Sequence, residues 1–89
     1  MAPGSFIPTI MTVTVLLFAS YAESFGTGSL TLELPEGARV GDAISKVRAR
    51  STSVLPPKPL VAVNQAYARI TDALRAGDEL AIIPPVAGG

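Results

Sequence analysis

The sequence contains no cysteine and no histidine, and these two absences remove whole classes of chemistry. Without cysteine there are no disulfides, thiolate nucleophiles or thiolate metal ligands. Without histidine the commonest general base is missing, and Cys/His zinc sites go with it. A surplus of charge is also missing. Seven Lys and Arg side chains are matched by seven Asp and Glu, for a formal net charge of zero, which leaves none of the electrostatic excess that phosphate-backbone binding requires. Long apolar runs are scarce. The stretch from Phe6 to Ala19 is too short to span a bilayer and has no Lys or Arg before it. It is interrupted by Pro8, Thr9, Thr12 and Thr14 and soon followed by Glu23, so it reads as structure rather than as a signal or anchor. Together the absences predict a cytoplasmic protein that holds no metal, has neither nucleic acid nor membrane as partner, and is not an enzyme on its own.

What is present suits one small folded unit. Hydrophobic residues make up 48% of the 89 residues and charged residues 16%, a globular rather than a disordered balance. A chain of this size buries roughly 60–65% of its unfolded surface and has room for a single core.

Residues Met1 to Ile10 show neither a two-residue nor a 3.6-residue period and read as a loose lead, with Met11 offering an alternative start. The expected layout is a lead over 1–11, a domain over 12–83 and a tail over 84–89. From Thr12 to Ala19 the pattern sets Val13, Val15 and Leu17 on one face, which predicts a first strand. After a polar segment ending in Gly26-Thr27-Gly28, leucines 30, 32 and 34 alternate with polar residues, predicting a second strand that forms an antiparallel hairpin with the first. Val40, Ala43, Ile44 and Val47 fall at i, i+3, i+4 and i+7, the apolar stripe of a helix that covers the sheet. Lys46, Arg48 and Arg50 lie off that stripe near its C-terminus, where the macrodipole favours positive charge. A solvated helix face accounts for them, with a basic partner patch as the alternative.

Ser51 to Pro59 is a proline-rich loop, Leu60–Val63 a buried strand, Asn64-Gln65 a turn, and residues 67–70 a short edge strand. Thr71-Asp72-Ala73-Leu74 suggests one helical turn, and Glu79–Ile83 a last strand with Leu80 and Ile82 on one side and Ala81 and Ile83 on the other. Strand, strand, helix, strand, short strand, strand describes a two-layer α+β domain. Neither Gly26-Thr27-Gly28 nor the pairs Glu33/Glu36 and Asp78/Glu79 carries chemistry. The glycines precede a strand instead of opening a helix, and the carboxylates sit at strand ends and turns.

The ending is different. Pro84-Pro85 stops the last strand, since proline cannot donate to a ladder and favours an extended conformation. The six residues Pro84-Pro85-Val86-Ala87-Gly88-Gly89 span about 20 Å when extended. Glycines without a Cβ let such a segment enter a channel too narrow for side chains, and leave the carboxylate of Gly89 open as the candidate reactive group.

Val61-Ala62-Val63-Asn64-Gln65, Gly77-Asp78-Glu79-Leu80-Ala81, the Pro-Pro-Val-Ala-Gly-Gly ending and the Phe18-Ala19 pair resemble the small, sulfur-carrying subunit of molybdopterin synthase. The resemblance runs from about Thr12 to Gly89. Ile82-Ile83 stand where aromatic residues are common in that family, and residues 1–10 have no counterpart. The resemblance implies a ubiquitin-like β-grasp fold: a mixed sheet whose first and last strands lie side by side at its centre, one main helix on one face, and a flexible Gly-Gly tail. It implies a protein cosubstrate, not a catalyst. Gly89 would be adenylated by an activating partner that uses ATP and Mg²⁺, and a sulfur donor protein would then convert it to a thiocarboxylate. The large catalytic subunit would direct that sulfur at a pyranopterin precursor. Gly88 would clear the channel, Val86 and Ala87 would make extended contacts, and Pro84 and Pro85 would set the exit direction. Ala81 and Ile83 are candidates for the docking surface, with an ordinary core or edge role as the alternative. The thiamine-pathway sulfur carrier and a ubiquitin-like protein modifier are the rival functions.

Overall fold

The computed structural model describes residues 9–50, 55–56 and 58–84. The elements run β1 (Ile10–Leu17), α1 (Ala19–Phe25), β2 (Ser29–Pro35), α2 (Val40–Arg50), β3 (Leu60–Val63), β4 (Ala66–Ala68) and β5 (Glu79–Ile83). The strands form one sheet in the order β2-β1-β5-β3-β4, with β1 and β5 parallel and the other neighbours antiparallel. This is the β-grasp arrangement: first and last strands adjacent, with the last one in the middle.

The periodicities of the sequence set the core. Met11, Val13, Val15 and Leu17 from β1, Leu32 and Leu34 from β2, Val61 from β3, and Leu80 and Ile82 from β5 share one buried cluster with Val40, Ala43, Ile44 and Val47 of α2. A two-residue repeat puts each strand's apolar set on one face, and the helix lays its stripe on it. Among the described residues no helix is long and apolar enough to cross a membrane.

Several expected boundaries move. Strand β1 starts at Ile10, not Thr12, because the ladder to β2 extends outward: Ile10 pairs with Pro35, Met11 with Leu34, and the Glu36 N–H reaches the Thr9 carbonyl at 2.8 Å. Met11 is a core residue, so Ile10 and Met11 belong to the sheet and not to a lead. The strand also ends earlier. Ala19 turns to a positive φ of 48° and starts helix α1, so β1 and β2 are antiparallel neighbours but not a tight hairpin. Seven residues are too few for a helix to persist alone. This one is held by burial of Tyr21 and by its ending, where Gly26 at φ 75° donates to the Glu23 carbonyl and Thr27 to that of Ala22, a Schellman closure.

The segment 71–74 makes no helical turn. It bridges to the start of α2, with Arg39 opposite Ala73 and the Leu74 N–H on the Ala38 carbonyl. The first N–H groups of α2 need acceptors, and residues 70–72 supply them: Val40 donates to the Asp72 carbonyl at 2.9 Å and Gly41 to that of Ile70 at 2.8 Å. The edge strand β4 is Ala66–Ala68, joined to β3 by Asn64 and Gln65 at φ of 50° and 72°, the left-handed pair that a two-residue hairpin requires. Of the proline-rich loop, Leu55 and Pro56 are held by Arg48, whose guanidinium donates to both carbonyls at 2.8 and 2.9 Å.

Candidate functional site

Strand β5 is the element that carries the tail, and it is an inner strand of the sheet, paired on both sides. On one side Leu80, Ala81 and Ile82 pair with Val15, Leu16 and Leu17; on the other Leu80 through Ile83 pair with Val63 through Leu60. Asn64 locks the start of the strand. Its N–H donates to the Glu79 carbonyl at 2.8 Å, its Oδ1 accepts from the Glu79 N–H at 3.0 Å, and its Nδ2 donates to Asp78 Oδ1 at 2.9 Å. Asp78 Oδ2 accepts from the Arg75 N–H at 2.8 Å, so this carboxylate is spent on turn geometry.

Leu80 and Ile82 point into the core; Ala81 and Ile83 point to the opposite face and are half-buried. The register builds that second face. Leu16, Ala81, Ala62 and Tyr67 form one row across β1, β5, β3 and β4, and Ile83 and Leu60 form the next. Two small alanines at the middle of the first row leave a depression of about 310 Å³ lined by Phe18, Ala62, Gln65, Tyr67, Ala81 and Ile83. Phe18 is 47% exposed, Leu60 50% and Tyr67 78%. Among the described residues none that lines the depression is charged, and Gln65 and the Tyr67 hydroxyl supply its polar groups. Such a patch suits burial against another protein.

Of the eight expected site residues, the structure places Ala81, Ile83 and Pro84; Pro85, Val86, Ala87, Gly88 and Gly89 lie outside the described residues. Ala81 and Ile83 share the depression, and Pro84 follows Ile83 directly, so the tail leaves the sheet at the margin of the apolar face. Sequence reasoning missed Phe18, Ala62 and Tyr67 as members of this face. Phe18 was legible only as the residue closing a strand, and Tyr67 joins because pairing sets it opposite Ala62, which no local pattern reveals.

The ThiS family model matches residues 15–89. The molybdopterin synthase sulfur carrier subunit of Chlamydomonas reinhardtii is 39% identical over 83 residues, covering 89% of this chain and 100% of that protein. Among solved structures, the putative molybdopterin converting factor, subunit 1, of Pyrococcus furiosus superposes with a TM-score of 0.76 at 30% identity, covering 85% of this chain and 99% of that one. The small archaeal modifier protein 1 of Haloferax volcanii gives 0.75 at 31% identity, covering 88% and 99%.

Proposed function

Because the chain belongs to the ThiS family, we propose that it is the sulfur carrier of molybdopterin biosynthesis and acts as the small subunit of molybdopterin synthase. The observation that carries this reading is the continuity of β5. The central strand of the sheet runs past the apolar face of Phe18, Ala81 and Ile83 straight into the stretch that ends in Gly88-Gly89. A rigid strand positions the tail, the apolar face docks the partner, and glycines let the terminus enter its active site.

The chemistry follows from the terminus. A carboxylate with a reference pKa of about 3.3–3.7 is ionised at neutral pH and is a poor electrophile, because its leaving group would be oxide. An activating partner joins the Gly89 carboxylate to AMP at the expense of ATP, with Mg²⁺ at that partner's site, and pyrophosphate leaves. A sulfur donor protein then displaces AMP from the acyl carbon, giving a thiocarboxylate. In the large catalytic subunit the thiocarboxylate sulfur attacks a pyranopterin precursor, and hydrolysis of the acyl–sulfur bond returns the carboxylate. This chain supplies the acyl group, its reach and the docking surface; the partners supply the catalysis.

The test mixes the chain with the activating enzyme, ATP and a sulfur donor, then follows AMP release and the intact mass gained as sulfur replaces oxygen. Deleting Gly89 moves the carboxylate back by about 3.5 Å, as far as the whole ~3–3.5 Å separation of a near-attack geometry, so adenylation collapses. Gly88→Val fails by adding a β-branched side chain where the channel is narrow. If the Gly89 deletion is loaded at the parent's rate, the reactive-terminus reading is wrong.

The likeness to the small archaeal modifier protein 1 supports a second reading, attachment of Gly89 to lysines of other proteins. Conjugates that survive reduction and carry a Gly-Gly remnant on lysine after proteolysis distinguish it.

A further inference from the structure

Strand β2 is an outer strand of the sheet, and among the described residues its outward edge is open at one short place. The ladder to β1 is bracketed by Leu17 N–H donating to the Gly28 carbonyl at 2.9 Å and by Glu36 N–H donating to the Thr9 carbonyl at 2.8 Å. Alternation along an antiparallel ladder therefore turns the backbone groups of Leu30, Leu32 and Leu34 toward β1 and those of Ser29, Thr31, Glu33 and Pro35 outward.

Most of these outward groups are occupied. Thr27 Oγ1 accepts from the Ser29 N–H at 3.3 Å and donates to the Ser29 carbonyl at 2.9 Å. Pro35 has no N–H, and its carbonyl accepts from Ala38 at 3.0 Å. Lys46 Nζ reaches over from α2 to donate to the Glu33 carbonyl at 2.9 Å. Among the described residues, what is left is a donor, an acceptor and a donor in a row: Thr31 N–H, Thr31 C=O and Glu33 N–H.

Beside this gap lies a groove of about 560 Å³ between the strand and the helix, lined by Thr31, Leu32, Glu33, Lys46, Ala49 and Arg50. Ala49 leaves the space between strand and helix open. Lys46 and Arg50 stand one helical turn apart, about 6 Å along the axis, which matches the ~6.7 Å between alternate side chains of a strand. Leu32 and Leu34 are buried beneath α2, so the Glu33 side chain projects from the opposite face, away from both cations.

We infer that this groove binds an extended peptide segment of a partner protein bearing carboxylates at alternate positions, added to β2 as a sixth strand. The segment's backbone meets the three free groups of Thr31 and Glu33, and its acidic side chains face Lys46 and Arg50. Lys46 gives up the Glu33 carbonyl to an incoming N–H and takes a carboxylate instead. Until then it guards the edge, as charged side chains commonly do on outer strands. The groove lies on the helix side of the sheet and the Phe18–Ile83 depression on the other, so both can be occupied together. The inference stands whether or not the chain carries sulfur.

The experiment titrates nitrogen-15-labelled full chain at low salt with a blocked peptide of about eight residues alternating Thr and Glu, and with its Thr/Lys counterpart. The acidic peptide is expected to give saturable shifts at the Thr31 and Glu33 amides and along 46–50, and to slow hydrogen exchange at those two amides. Arg50→Gln weakens it by about fivefold and the Lys46→Gln/Arg50→Gln double variant further, while Ile83→Asp leaves it unchanged. Both cations are exposed, so folding survives their removal. Equal binding of the Thr/Lys peptide, shifts centred on Phe18, Ala81 and Ile83, or no saturable shift overturns the proposal. So do Thr31 and Glu33 shifts that grow with protein concentration alone, which assign the edge to a second copy of the chain.

Discussion

At the scale of single residues, the same chemistry has opposite consequences on the two faces of the sheet. Leu32 and Ile44 lie in the core where strand and helix meet, and truncating either to alanine is expected to cost roughly 2–5 kcal/mol, read as a fall in the denaturation midpoint at constant slope. Ile83→Asp and Phe18→Asp place charge on the half-open face instead. They are expected to leave the midpoint almost unmoved while abolishing binding to the large subunit, measured by calorimetry. Retained binding would mean that the apolar face is not the docking surface. Gly41 shows how a hydrogen bond dictates a residue: its N–H sits 2.8 Å from the Ile70 carbonyl, and a Cβ there would stand 3.3 Å from that same oxygen and 3.7 Å from Ile70 Cβ. Gly41→Val is expected to destabilise by about 1–3 kcal/mol, with hydrogen exchange rising first in residues 70–74.

The elements differ in how they are held. Helices α1 and α2 are both closed by backbone partners, α1 through its Gly26 ending and α2 through carbonyls from residues 70–72. The β3–β4 turn depends on Asn64, which carries a positive φ of 50° and three hydrogen bonds to residues 78 and 79. Asn64→Ala loses both side-chain bonds and keeps the strained conformation, so it is expected to cost about 2 kcal/mol. Gln65→Gly, at φ 72°, relaxes the backbone and is expected to be neutral or stabilising in the same thermal melt. At the start of the chain, a version beginning at Thr12 loses the buried Met11 and the Thr9–Glu36 pairing. It is expected to lose roughly 2–5 kcal/mol, whereas a version beginning at Thr9 retains both.

At the scale of the whole molecule, the placement of β5 between β1 and β3 gives the strand that bears the tail a paired neighbour on each side and no free edge, as β1 and β3 also have. Hydrogen exchange is expected to show the amides of Leu80 to Ile82 opening only with global unfolding, and those of β4 well before it; early exchange in β5 would mean that the tail springs from a mobile strand. Much of this molecule was written in its sequence. Two-residue and 3.6-residue repeats name Val13, Val15, Leu32 and the Val40–Val47 stripe as core, because burial of one face is decided by local period alone, and the Gly88-Gly89 ending is the feature on which the proposed reactive terminus rests. Helix α1 was not legible, because its seven residues are stabilised by Tyr21 docking and a left-handed Gly26 rather than by propensity. Nor was the fate of residues 71–74, whose local preference for a helical turn yields to the unmet N–H groups of a helix some thirty residues away in sequence. The apolar face and the groove on β2 belong wholly to tertiary structure. Phe18, Ala62, Tyr67 and Ile83 become one surface, and Lys46 becomes the guard of Glu33, only when strand order and register bring distant residues side by side.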